Sequence, residues 1–217
     1  TNLPHMLPKQ DRCEKIMATN GISNNDKIVI YDNSKVLSSC RLWYMLLYFG
    51  HSKKLVSVLN GGLEKWKKNN FPITEDHTKL KMTNYKAYEN KFMVKNLDEI
   101  DKNIENKVFS LVDARSKDRF EGKTKEPREG VRSGSIKNSI CIPFNNVIKD
   151  DKTFKDKEEL KVIFNNIISD IDNNNVVFSC GSGITSCVLA LAYSLINNNY
   201  NPTIYDGSWA EYGKIFK

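Results

Sequence analysis

Val176-Val177-Phe178-Ser179-Cys180-Gly181-Ser182-Gly183-Ile184-Thr185-Ser186-Cys187, running on into Val188-Leu189-Ala190-Leu191-Ala192, reads as strand, tight loop and helix. Val176 to Phe178 is a short β-prone apolar run, long enough for a buried strand. Gly181 and Gly183 supply backbone freedom for a tight loop. From Ile184 the chain continues to Ile196 without Gly or Pro, a length that favours a helix, and its nearly all-round apolar character makes that helix a buried one. Cys180 therefore sits at the carboxyl end of a strand, where the N–H groups of residues 181–185 and the positive end of a helix can face its sulfur. Both effects stabilise a thiolate. A free cysteine is most often a buried structural residue, but this setting favours a reactive one.

The hexapeptide Cys180-Gly181-Ser182-Gly183-Ile184-Thr185 resembles the active-site loop of rhodanese-like sulfurtransferases, and its Cys-Gly-Ser-Gly form resembles the 3-mercaptopyruvate sulfurtransferase branch. Thiosulfate-using rhodaneses usually carry basic residues in this loop, and this one has none. Protein tyrosine phosphatases share the strand–loop–helix cysteine but need an Arg six residues on. That position is Ser186, which argues against a phosphatase.

The chain of 217 residues has room for one large or two small domains, and its 40% hydrophobic content supports a core. It contains no apolar run of 18 residues, so no transmembrane helix is expected. Five cysteines, at 13, 40, 141, 180 and 187, match no zinc spacing, and free thiols point to a reducing compartment, cytoplasmic in preference to mitochondrial. The net charge of +7 comes from dispersed lysines not interleaved with aromatics, read as solvated surface with neither nucleic-acid nor membrane binding.

The order of elements repeats. Strand 27–31, helix 39–49, strand 55–59, the turn Asn60-Gly61-Gly62 and a short helix 63–68 match strand 176–179, helix 185–196, strand 203–205, the turn Asp206-Gly207-Ser208 and a helix from Trp209. The offset stays within 146–148 residues, which marks an internal duplication. Asp32 takes the position of Cys180 in the first copy, so that copy is expected to be non-catalytic. A helix near 96–103, a strand 108–112, a loop-rich excursion 116–139, an edge-like strand 140–143 and an amphipathic helix 156–168 (Leu160, Ile163, Phe164, Ile167) complete the second copy. Counterparts of 108–143 are missing from the first copy, so the chain is expected to be a fragment of a longer protein. The expected fold is α/β, with tandem rhodanese-like domains, each a mainly parallel sheet flanked by helices. Residues 1–75 form the incomplete first domain, 76–95 a linker and 96–217 the catalytic domain.

The resemblance implies site residues. Arg119 and Arg128, within Arg119-Phe120-Glu121-Gly122 and Glu126-Pro127-Arg128, resemble the segment that holds the carboxylate of mercaptopyruvate. Gly181, Gly183, Ile184 and Thr185 would line the substrate site through the loop. His5, in Leu3-Pro4-His5-Met6-Leu7-Pro8, resembles a first-domain loop histidine that pairs with the catalytic-loop serine, here Ser182. Arg115, two residues after Asp113 on the strand end, is read as pairing structurally with a carboxylate, Arg132 as solvated, and Trp209 as packing near the loop. The implied reaction is sulfur transfer from 3-mercaptopyruvate through a Cys180 persulfide to a thiol, cyanide or thioredoxin, with no metal or organic cofactor. The alternatives are a thiosulfate sulfurtransferase and a persulfide carrier for tRNA thiolation.

Overall fold

The computed structural model describes residues 2–166, 168 and 175–214. Within these, the chain divides into two compact units, one of residues 7–91 with 151–153, the other of residues 2–6, 92–150 and the described residues of 154–214. Ile167, expected on the apolar face of the amphipathic helix, lies outside the described residues, as do residues 215–217 of the expected second domain.

The unit built mainly from 7–91 runs α1 (Gln10–Thr19), β1 (Ile28–Ile30), α2 (Ser39–Tyr48), β2 (Val56–Val58) and α3 (Gly62–Lys68). β1 and β2 pair in parallel, Ile28 opposite Val56 and Ile30 opposite Val58. α2 buries Cys40, Trp43, Tyr44, Leu46 and Leu47, and ends where Gly50 adopts a left-handed φ of 82°. The expected linker behaves differently from a linker over much of its length. Thr83 N–H donates to the Ala18 carbonyl, Tyr88 N–H to that of Phe49 and Asn90 N–H to that of Tyr48. Tyr85 and Ala87 are buried, and His51 Nδ1 lies 3.2 Å from the Tyr85 hydroxyl. The segment is polar and aperiodic because it pairs with ends of α1 and α2 as extended backbone, a role that leaves no period in the sequence.

The other unit runs β3 (Val94–Lys95), α4 (Leu97–Asn106), β4 (Ser110–Asp113), α5 (Lys117–Phe120), β5 (Ile140–Cys141), α6 (Lys157–Asn165), β6 (Val176–Ser179), α7 (Ser186–Ile196), β7 (Ile204–Tyr205) and α8 (Ser208–Tyr212). Its five strands lie in the order β3-β7-β6-β4-β5, every pair parallel. The starts of β6, α7, β7 and α8 follow those of β1, α2, β2 and α3 by 146–148 residues, so the duplicated order is present in the structure.

β6 is central, and all four of its residues are buried. Alternation along the strand sends successive side chains to opposite faces. Val177 joins Ile100 of α4, Leu111, Ile136, Tyr205, and Trp209 and Tyr212 of α8 in one cluster. Phe178 joins the other layer, edge-on to Phe164 of α6 at 6.2 Å and to Tyr193 of α7 at 5.9 Å between ring centroids. Full burial of a residue such as Phe178 is worth about 1.5–3 kcal/mol, so both faces of β6 fix its height and thereby that of Cys180. α4 and α6 begin with reciprocal caps, Asn96 with Glu99 and Asp156 with Glu159. Among the described residues, no helix is long and apolar enough to cross a membrane.

Candidate active site

Beyond β6 the chain turns through Cys180-Gly181-Ser182-Gly183 into α7, and in a parallel sheet this carboxyl end is where ligands bind. The peptide of Cys180 is tied down on both sides. Its N–H donates to Ser208 Oγ at 3.2 Å, and its carbonyl accepts from Trp209 N–H at 2.9 Å. The Gly181 carbonyl accepts from Ala210 N–H at 2.9 Å, so α8 clamps the strand end. The two glycines serve different ends. Gly183 takes a left-handed φ of 82°, which a side chain would strain. Gly181 does not. Its requirement is space, because a Cβ there would stand 3.0 Å from Arg119 Nη2 and 3.7 Å from Arg128 Nη1. The freedom expected of both residues is used by Gly183 alone.

Cys180 is 2% exposed. Burial by itself pushes a thiol up, but the hydroxyls of Thr185 and Ser186 and the N–H groups of Ser182 and Ser186 more than offset it, and the Cys180 thiol lies below its ordinary range. The Gly183 N–H also donates to Sγ, at 3.1 Å. Cys13 and Cys141 lack this cradle, and burial pushes each up to about 11. Cys187, the second residue of α7, is buried, its Sγ 3.4 Å from the Gly183 carbonyl.

Ser182 Oγ is held between two residues remote in sequence. His5 Nδ1 lies 2.9 Å away, and Arg128 Nη2 donates to it at 3.0 Å. Arg119 and Arg128 thus converge beside Gly181. Arg119 is in turn gripped by Glu126, with Nε 3.1 Å from Oε1 and Nη2 2.5 Å from Oε2. Glu126 also accepts from Arg115 Nη1 at 2.8 Å, while Arg115 makes a fork onto Asp113 and donates to the Gly134 carbonyl. The side chains of Arg115, Asp113 and Glu126 are at most 3% exposed. Arg115 therefore has the structural role read from its spacing.

Arg132 does not lie free in solvent. Its guanidinium lies over the Trp209 ring, 4.6 Å from the centroid, as that of Arg115 does at 4.5 Å, and its carbonyl accepts from Trp209 Nε1 at 2.8 Å. Three contributors escaped the sequence reading: Ser186 as a sulfur contact, Glu126 as the anchor of Arg119, and Ser208 as a clamp on Cys180. Glu126 lay in the quoted segment between the two arginines, the one available signal. The first copy presents a related cradle. Asp32, just past β1, accepts from the hydroxyls of Ser34 at 2.7 Å and Ser38 at 2.8 Å and from the N–H of Ser39 at 3.0 Å.

Known proteins resemble this chain along nearly all of its length. The rhodanese-like domain profile matches residues 2–69 and 96–214. The chain is 35% identical to thiosulfate/3-mercaptopyruvate sulfurtransferase 1, mitochondrial, of Arabidopsis thaliana, over 98% of this chain and 60% of that one. It is 35% identical to the thiosulfate sulfurtransferase of Rattus norvegicus, over 95% and 69% respectively, and 33% identical to the 3-mercaptopyruvate sulfurtransferase of Homo sapiens, over 96% and 69%. It thus spans 60–69% of the length of these relatives. The crystal structure of SseA, a 3-mercaptopyruvate sulfotransferase of Escherichia coli, superposes with a TM-score of 0.82 at 29% identity, covering 96% of this chain and 76% of that one. With the profile matched twice, and a cysteine in the second copy where the first has an aspartate, this chain belongs to the rhodanese-like domain family.

Proposed function

We propose that this chain is a sulfurtransferase that moves sulfur from 3-mercaptopyruvate to a nucleophilic acceptor through a persulfide on Cys180. The observation that carries the reading is the convergence of Arg119 and Arg128 beside Gly181, next to a cysteine whose thiol is depressed, in a loop with no basic residue of its own. Two guanidiniums suit the carboxylate of a small α-keto acid. The Cys180 thiolate attacks the donor sulfur, and the carbon–sulfur bond breaks with its electron pair passing to carbon. The resulting enolate takes a proton and leaves as pyruvate. Ser182, held by His5 and Arg128, is suited to hydrogen-bond the donor carbonyl as charge builds on it. An acceptor then attacks the outer sulfur and restores the Cys180 thiolate. Ile184 and Thr185 complete the loop, the Thr185 hydroxyl also facing the sulfur. A thiol such as thioredoxin, or cyanide, serves as the acceptor, and free cysteines favour a reducing compartment.

A second donor, thiosulfate, is favoured by the names of the Arabidopsis and rat relatives. The test is pyruvate release from 3-mercaptopyruvate, run beside thiocyanate formation from thiosulfate, for the protein and for Cys180→Ser. The expected result is cysteine-dependent turnover of mercaptopyruvate well above that of thiosulfate. A preference for thiosulfate overturns the donor assignment. Loading of Cys180 without turnover would make the chain a persulfide carrier instead.

A further inference from the structure

We propose that the Ser186 hydroxyl is a catalytic hydrogen-bond donor to the Cys180 sulfur, stabilising it both as nucleophile and as leaving group. The proposal deepens the sulfur-transfer reading above and, in its second half, rests on it. Ser186 is the first residue of α7. Its Oγ lies 3.7 Å from Cys180 Sγ, and the two residues are 0% and 2% exposed. A serine inside a helix ordinarily donates to the carbonyl four residues back. Ser194, on the same helix, does so, with Oγ 2.8 Å from the Ala190 carbonyl. Ser186 differs: its hydroxyl oxygen lies beside the sulfur that the loop before α7 presents. The Cys180 S–H can donate to this Oγ, and the same contact is reversed when the sulfur is a thiolate.

The place of Ser186 in the chain gives this contact its meaning. It stands six residues after Cys180, where a cysteine phosphatase needs an arginine to hold phosphate. A neutral donor here adds no positive charge to compete with Arg119 and Arg128 for the substrate anion, yet it still lowers the energy of charge on Sγ. The consequence reaches both halves of the reaction. In the first, the thiolate forms the new sulfur–sulfur bond with its own electron pair. In the second, the acceptor's electron pair forms a bond to the outer sulfur, the sulfur–sulfur bond breaks, and its pair returns to Sγ. A donor on Sγ favours the reactive form in the first step and the departing thiolate in the second.

The test compares the protein with Ser186→Ala and with Ser194→Ala, which removes a buried hydroxyl from the same helix away from the sulfur. Alkylation of Cys180 by iodoacetamide is followed by peptide mass spectrometry between pH 5 and 10. Release of sulfur from preloaded Cys180 to saturating cyanide is followed as thiocyanate in a single turnover. Ser186→Ala should raise the apparent pKa of Cys180 by about one unit and slow sulfur release about tenfold, while Ser194→Ala leaves both unchanged. Unchanged alkylation and release in Ser186→Ala overturn the proposal, and so does an equal shift in Ser194→Ala. If the unmodified protein loads no sulfur from either donor, the sulfur-transfer reading fails and takes the leaving-group half with it. The alkylation profile then decides the donor role alone.

Discussion

Replacing Glu126 by Gln tests whether the arginine cluster is a strut, an aiming device or both. The Glu126 side chain is 2% exposed and accepts from three N–H groups on two arginines. Each such charge-assisted bond contributes about 1.5–3 kcal/mol. Gln keeps one carbonyl oxygen but turns an NH2 group toward a guanidinium, donor against donor. Arg115 retains its fork onto Asp113 and its bond to the Gly134 carbonyl, so its charge is not left unpaired. That compensation places the expected loss at about 2–4 kcal/mol, below the full cost of stranding a buried charge. Arg119, at 26% side-chain exposure, has no second carboxylate among the described residues and loses its anchor. Urea unfolding should show the stability loss, and steady-state kinetics with 3-mercaptopyruvate should show KM raised about tenfold, with kcat changed much less. A variant within about 0.5 kcal/mol of the parent and with unaltered KM would refute the reasoning outright. Lost stability with unaltered KM would leave Glu126 a strut and remove its part in aiming Arg119.

Gly181→Ala should raise KM several-fold with little change in Tm, because its Cβ meets the Arg119 and Arg128 guanidiniums at 3.0 and 3.7 Å and those side chains can move. Gly183→Ala should instead lower stability by about 1–2 kcal/mol, the cost of a side chain at a φ of 82°, read as a fall in Tm. In the first copy, burial raises the Asp32 carboxyl, but the bonds from Ser34, Ser38 and Ser39 outweigh it and hold it below its usual value. A depressed folded-state pKa contributes stability above the unfolded value, near 3.9, that is lost as pH falls through the folded one. Asp32→Asn should therefore flatten the acid limb of a urea-midpoint profile, and an unchanged limb would count against that role.

Much of the second copy could be read from the chain because its signals are local. The buried β6, the glycine-bearing loop and the apolar α7 each leave a mark within a few residues. The duplication was legible for the same reason, since Asp32 and Cys180 close equivalent strands. Contacts made across long sequence distances left weaker marks. The approach of His5 to Ser182 spans 177 residues, and the resemblance carries it where periodicity cannot, whereas that of Arg128 to Ser182, across 54, left no mark. Arg132 looked like any loop arginine because nothing near it announces the Trp209 ring 77 residues away. Ser186 was hidden because its contact with the Cys180 sulfur is made across the loop, whose shape no local pattern of side chains records. Residues 83–90 were opaque because backbone pairing to helix ends imposes no pattern on side chains.

The clamp that α8 places on Cys180 also sets an order of events in synthesis. The strand end is fixed by Ser208 Oγ and by the N–H groups of Trp209 and Ala210, some 28–30 residues after the segment they hold. Domains fold largely as units while the chain emerges, amino-terminal portions first. Most of the unit spanning 7–91 can settle early. Cys180 emerges without the partners that hold its peptide, and an unclamped loop has no fixed donors for a thiolate. On the proposed function the thiol therefore matures late, because its sulfur gains fixed hydrogen-bond donors only after Ser208 to Ala210 have been made and docked.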